Sequence, residues 1–214
     1  IVFLNRAPSD ALADLLSGRS AFVQSGSRDA LVAGEQPGLV VRRVSSIAVK
    51  FLVFNLAHER SANVSGGVNP FRDRRVREAV HVGLDRDRLV GQLPGPALPA
   101  HQLVPPYIFG YAPGLPRPAP DAARARALLA EAGFPGGFAA TLHARRLLSD
   151  AVEPLRRELA QIGIRVDVRA LPEAEYFREA APGSEFAFGL TRFGCPTGDA
   201  ANFFDTGLHS LDLA

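Results

Sequence analysis

Methionine is missing from all 214 residues. An intact gene product starts with one, and a chain of this length ordinarily holds several more, so the expectation is an internal piece of a longer protein. Cysteine is almost missing as well. Cys195 stands alone, which excludes an internal disulfide and a thiolate-rich metal cluster while fitting either a reducing or an oxidising compartment. Lysine occurs once, at Lys50, and arginine supplies the rest of the 24 basic side chains. With 22 acids against them the net charge is only +2, so the arginines point to genomic codon bias rather than to a nucleic-acid partner. A nucleic-acid binder would carry a clustered basic stripe with interleaved aromatics, and no such stripe is seen. No run approaches the roughly 20 apolar residues that cross a bilayer. Ile1-Val2-Phe3-Leu4 is too short for a signal-peptide core.

Sequence patterns of enzyme chemistry are equally scarce. His58, His81, His101, His143 and His209 never form H-x-x-x-H or H-E-x-x-H, so side chains alone make no metal site. There is neither a G-x-S-x-G nor a Walker A pattern. Cys195 has no base near it in sequence and reads as a small apolar residue in a Gly-rich loop. The chain is read as having no catalytic step and no cofactor.

What is present is the composition of a folded domain, 47% apolar and 21% charged. The opening alternates: strand Ile1–Asn5, helix Pro8–Leu16, strand Ala21–Gln24, helix Ser27–Ala33, strand Leu39–Val44, a βαβαβ pattern. Ala48–Asn55 is apolar nearly throughout and reads as a strand buried on both faces. Residues 93–120 carry too many prolines for helix or central strand and are expected to wrap the surface, pinned by Tyr107, Phe109 and Tyr111. From Phe138 the alternation resumes: strand to His143, helix Ser149–Ile162, strand Ile164–Ala170, helix Pro172–Ala180, strand Glu185–Phe193.

Two linked segments are more specific than any single element. In Asn69–Val90, Asp73 is placed to cap a helix with the apolar stripe Val76, Val80 and Leu84, leaving Arg74, Arg75 and Arg77 on the wet side. In Asp121–Phe138, Asp121 caps an Ala/Leu helix stopped by Gly133, and Pro135-Gly136-Gly137 turns the chain into a strand. These segments, with Asn55, Asn69-Pro70-Phe71, Arg75-Val76-Arg77, Ala79, Asp85-Arg86, Phe109-Gly110-Tyr111, Leu159–Ile164 and Gly198–Phe203, fall in one order and spacing. Taken together they resemble extracellular solute-binding protein family 5, which serves peptide, nickel and related ABC importers.

The resemblance implies an α/β chain of the type II periplasmic-binding-protein kind, with mixed sheets and flanking helices. Residues 1–46 would form part of a first lobe, and residues 47–214 a second lobe that includes the proline-rich loop 93–120. The implied function is the substrate-binding component of an ABC importer, periplasmic or lipid-anchored outside the cytoplasm and monomeric. It would hold a small-molecule or peptide solute between two lobes and deliver it to membrane permease subunits, with no nucleic acid involved. The alternative is a ligand-sensing domain of a cytoplasmic transcriptional regulator with the same fold.

In such proteins the ligand meets strand ends and loops facing the cleft, and the resemblance points to Phe193-Gly194-Cys195-Pro196-Thr197-Gly198-Asp199. Peptide-binding members open this loop with a Trp and hold the peptide ammonium with an Asp three residues on. Here Phe193 takes the aromatic place and Pro196 the place of the Asp, which disfavours free-amino peptides because a buried cation without a carboxylate is costly. Asp199 reads first as loop scaffold. Arg145 and Arg146 stand near an Arg that grips the peptide carboxylate in dipeptide binders, and Arg192 precedes the loop; a guanidinium suits that work. Asn55 reads first as a backbone-bonding residue at the lobe crossing and second as a ligand contact.

Overall fold

The computed structural model describes residues 8–24, 34, 36–42, 44–181 and 184–205. The chain divides into two compact units, Ile1–Ser45 with Leu93–Leu98, and Ser46–Gln92 with Pro99–Ala214. Leu93–Leu98 therefore parts from the remainder of the proline-rich loop.

In the first unit the helix α1, Pro8–Leu16, forms where expected. Ser17 and Ser20 donate back to its last carbonyls, and Gly18 leaves it at φ +75°. The strands expected at Ala21–Gln24 and Leu39–Val44 do not form at the described residues. A strand exists only where a neighbour takes up its hydrogen bonds, and here the apolar side chains stand in solvent, Phe22 at 76% and Val44 at 89% exposure. The βαβαβ reading of 1–46 is corrected accordingly; Ile1–Asn5 and Ser27–Ala33 lie outside the described residues.

The second unit is built on four strands: β1 Ala48–Phe54, β2 Phe138–Arg145, β3 Ile164–Leu171 and β4 Phe188–Gly194. Their order is β1-β4-β2-β3. β1 runs antiparallel to β4, whereas β2 is parallel to both β3 and β4, which makes the sheet mixed. The helices are α2 Arg74–Gly83, α3 Arg86–Gly91, α4 Ala122–Glu131, α5 Ser149–Gln161 and α6 Glu173–Glu179. Among the described residues β1 is an edge strand rather than one buried on both faces: it pairs with β4 alone, and Lys50 points outward to Asp150 at 2.9 Å.

Local chemistry explains why these segments are helices. Asp73, Asp85 and Asp121 each accept a backbone N–H two or three residues on, at 2.8, 2.9 and 2.8 Å, satisfying donors that a helix start leaves open. Val76, Val80 and Leu84 are buried as their spacing predicts. α2 lies so close to α4 that a Cβ on Gly83 would sit 2.7 Å from the Ala125 Cβ and 2.6 Å from the Ile162 Cγ2. Gly137, at φ +70°, is equally obligatory, because a Cβ there would fall 1.9 Å from the Gly163 carbonyl.

The core centres on Phe71, which is fully buried. Its ring meets Phe188 at 4.6 Å, Phe54 at 5.0 Å and Phe138 at 5.6 Å, so one side chain ties three strands to the entry of α2. Asn69 holds it there. Its Oδ1 accepts the Phe71 N–H at 3.2 Å, while its Nδ2 donates to the carbonyls of Asn55 at 2.8 Å and His58 at 3.0 Å. Residues 99–120 are pinned mainly by buried Val104 and Ile108. Half-buried Tyr111 joins them, but Tyr107 and Phe109 leave their rings exposed.

His143, on the central strand β2, is 2% exposed, with Nε2 3.4 Å from the Glu179 Oε2. Burial pushes its imidazole below the ordinary value; Glu179 pulls it up, and Arg169 adds to the downward push. A depressed folded pKa means the unfolded chain binds the proton more readily. This contribution to stability is therefore present above about 6.5 and lost as pH falls through the folded value. Four outcomes are expected. Phe71→Ala lowers the unfolding free energy by about 3–5 kcal/mol in urea titration, whereas Phe109→Ala changes it by less than about 0.5 kcal/mol. The urea midpoint of the wild type also falls between about pH 7.5 and 5, and His143→Gln reduces that slope.

Candidate functional site

Because β2, β3 and β4 are parallel, their carboxyl ends come together at one edge of the sheet, the place where open α/β sheets present ligand groups. β2 ends at Arg145, β3 at Leu171 just ahead of α6, and β4 at Gly194. The structure thereby brings Arg145, Arg146, Arg192, Phe193, Gly194, Cys195, Pro196, Thr197 and Asp199 to the same end. Asn55 is placed at the other. It follows the last residue of β1, the length of a seven-residue strand away. Its Nδ2 donates to the carbonyls of Ser184 at 3.2 Å and Phe186 at 2.8 Å, and its Oδ1 accepts the Ala57 N–H at 3.0 Å. Asn55 thus stitches backbone together.

The loop after β4 is held from beneath. Phe193 is half-buried, its ring 4.6 Å from Phe203. It borders a cluster of Val104, Ile108, Cys195, Ala200 and Phe203. Cys195 is 1% exposed, and its N–H donates to the Ile47 carbonyl at 3.1 Å. Phe109 grips the far side through backbone alone: its N–H donates to the Gly198 carbonyl at 3.0 Å, and its carbonyl accepts from Ala200 at 2.9 Å. Asp199 Oδ1 accepts the Ala201 N–H at 2.9 Å, at the start of the short helical turn Ala201–Phe203. Pro196, Thr197 and Gly198 are left exposed.

The three arginines differ. Arg145 is buried, with 8% of its side chain exposed. Its Nη1 donates to the Arg192 carbonyl at 3.2 Å and its Nη2 pairs with Glu173, while the guanidinium carbon lies 5.2 Å from the Phe177 ring centre. Arg146 and Arg192 are exposed. Glu173 and Phe177, one turn apart on α6, belong to this end of the sheet although no motif marks them. A Glu directly after Pro172 signals a helix start, but nothing local pairs it with an arginine 28 positions earlier.

Among the described residues no group of three or more His, Cys, Asp or Glu side chains is placed to hold a metal. No described helix is long and apolar enough to cross a membrane. Two surface depressions, one bordered by Arg60, Ser61 and Glu185 and one by Ala139, Arg156, Arg165 and Asp167, lie away from the loop after β4. The Cys195 thiol is pushed up by burial and, to a lesser degree, by Asp199. It is expected to react with iodoacetamide more than about tenfold slower in the native protein than in urea, because thiolate and access are both scarce; mass spectrometry of the alkylated chain checks this.

Residues 1–213 match the family described as bacterial extracellular solute-binding proteins, family 5 Middle. The glutathione-binding protein GsiB of Salmonella choleraesuis (strain SC-B67) is 37% identical over 129 residues, covering 58% of this chain and 25% of that protein. The chain thus aligns with about a quarter of the length of such relatives. Among solved structures, a putative peptide binding protein AppA from Clostridium difficile matches with a TM-score of 0.73 at 19% identity, over 95% of this chain and 43% of that one. The periplasmic binding protein DppA from Helicobacter pylori, in complex with the peptide STSA, gives 0.68 at 20% identity, over 92% and 37%. At such identities the likeness is one of fold, and the fold is that of type II periplasmic binding proteins. The signature running from Asn69-Pro70-Phe71 through the capped helices to Gly198–Phe203 has its explanation here: this chain belongs to the bacterial extracellular solute-binding proteins of family 5.

Proposed function

We propose that the protein is the substrate-binding component of an ABC importer, and that the loop after β4 is part of its solute site. The match to family 5 over residues 1–213 carries this reading. A solute would be held between two lobes outside the cytoplasm, by a periplasmic or lipid-anchored monomer, and handed to permease subunits in the membrane. Ligand stabilises the closed form only through contacts made better there. The surfaces offered to it are exposed Arg146, Arg192, Pro196 and Thr197, the accessible part of Phe193, and the backbone of Gly194 and Gly198.

The charge at this end of the sheet narrows the solute. Two exposed arginines, Arg146 and Arg192, stand at this end, while the carboxylates of Glu173 and Asp199 are engaged by Arg145 and the Ala201 N–H. Pro196 adds no acid. Such a surface favours a solute that presents carboxylates, and the similarity to a glutathione-binding protein points the same way. Glutathione, whose two carboxylates outnumber its single ammonium, is therefore the first candidate, ahead of uncharged sugars and of peptides recognised chiefly by a free ammonium.

A thermal-shift screen of the full-length protein against glutathione, di- and tripeptides, sugars and metal chelates tests this. A ligand present at a hundred times its Kd stabilises the native state by about 2.7 kcal/mol, which raises Tm by several degrees. Glutathione is expected to give such a shift. Shifts with sugars or metal chelates alone would displace the carboxylate reading, and silence throughout would remove the solute-binding role.

A further inference from the structure

β4 loses its neighbour on one side before it ends. Its pairing with β1 continues to Gly194, but its pairing with β2 stops at Leu190, opposite Ala144. The carbonyl of Arg192, two residues further on, has no β2 backbone donor in the ladder, and a part-buried carbonyl needs another partner. The donor is a side chain: the Arg145 Nη1, at 3.2 Å.

We propose that Arg145 is a positioning residue, fixing through the Arg192 carbonyl where the loop 193–199 leaves the sheet. The inference rests on the reading of that loop as part of the solute site. Arg145 is suited to the task because it is held from two other directions. Its Nη2 pairs with Glu173 at the start of α6, and its guanidinium lies against the ring of Phe177, one turn along the same helix. α6 is in turn seated by Tyr176, which is 2% exposed. A planar fork with separate donors serves a carbonyl and a carboxylate at once, which a lysine ammonium does without fixed geometry. Both Nη groups are taken by protein partners, the Arg192 carbonyl and the Glu173 carboxylate, so Arg145 acts on a solute through the loop and not by gripping it.

The far end of the loop has its own anchor in the two backbone bonds to Phe109. Cys195 is fixed by its bond to Ile47. Exposed Pro196 and Thr197 therefore hang between fixed points, and at the root of the loop the Arg192 carbonyl is held by a charged side chain. Releasing it alters the direction of the loop at its root while Phe109 still holds its tip.

The experiment is hydrogen exchange of the full-length protein without ligand, read by mass spectrometry over residues 193–199, with α2 and α4 as reference segments. Glu173→Gln removes the carboxylate from a half-exposed position and keeps the packing. It is expected to speed exchange in the loop several-fold and leave α2, α4 and Tm unchanged. Arg145→Gln gives a larger acceleration, and Arg145→Lys, which keeps the charge without the fork, an intermediate one. Arg146→Gln leaves the loop at the wild-type rate. Unchanged loop exchange in both Glu173→Gln and Arg145→Lys overturns the proposal, as does acceleration spread equally over α2 and α4. Glutathione affinity, measured on the same variants, separates the two layers of the argument. Faster exchange with weaker binding supports both. Faster exchange with unaltered binding keeps Arg145 as the loop's anchor and overturns the placing of the loop in the solute site.

Discussion

The packing of the second unit depends on one buried ring. Phe71 contacts aromatic side chains from β1, β2 and β4 and is fully buried, so strands far apart in sequence share a single point of registration. Burying such a side chain contributes about 1.5–3 kcal/mol, but its location matters more than its area. The chain arrives there from β1 and leaves it directly into α2. Asn69 fixes the approach with three hydrogen bonds, two of them to backbone around the end of β1. The strand end, the 3-10 turn Pro70–Arg72 and the capped helix therefore act as one corner, from which the positions of β4 and β2 follow.

The residues proposed for ligand contact, Asn55 apart, sit at the opposite end of the same strands. The sheet separates the two tasks: an apolar corner at one end, and a polar end where parallel strands deliver loops and arginines. Asn55 belongs to the corner and the loop after β4 to the polar end, although both end a strand and both carry polar atoms. A further consequence concerns charge. Buried Glu158 pairs with Arg88 on the helical side of the molecule, at 2.6 Å, and exposed pairs such as Arg156 with Glu153 neutralise the helix surfaces. Some of the arginines of a composition nearly balanced in charge are accounted for in this way.

How much of this was legible in the sequence depends on how local each feature is. Asp73, Asp85 and Asp121 announce their helices because a cap and the N–H it serves are two or three residues apart. Gly133 and Pro135-Gly136-Gly137 mark the turn into β2 for the same reason. The strands expected at Ala21–Gln24 and Leu39–Val44 do not form at the described residues because an apolar run states a preference, whereas a strand requires a partner that no local pattern specifies. β1 was given the wrong exposure on the same ground, since strand order decides what lies on each side. The loop after β4 is legible as a loop through its small residues, and its candidacy for ligand contact comes from the family likeness. The link from Arg145 to Glu173 and to the Arg192 carbonyl is not legible, because it spans 28 positions one way and 47 the other. Phe109 shows the limit most clearly: an exposed ring whose value lies wholly in two backbone hydrogen bonds.

The central claim is that the polar end of this sheet receives a carboxylate-bearing solute. Calorimetric titration of glutathione into the full-length wild-type protein and into Arg192→Glu tests it most directly, because the substitution reverses charge at an exposed side chain without entering the core. The account predicts saturable binding to the wild type and an affinity at least about tenfold lower for the variant, equivalent to about 1.4 kcal/mol. Equal affinities, or no binding by the wild type, would contradict it.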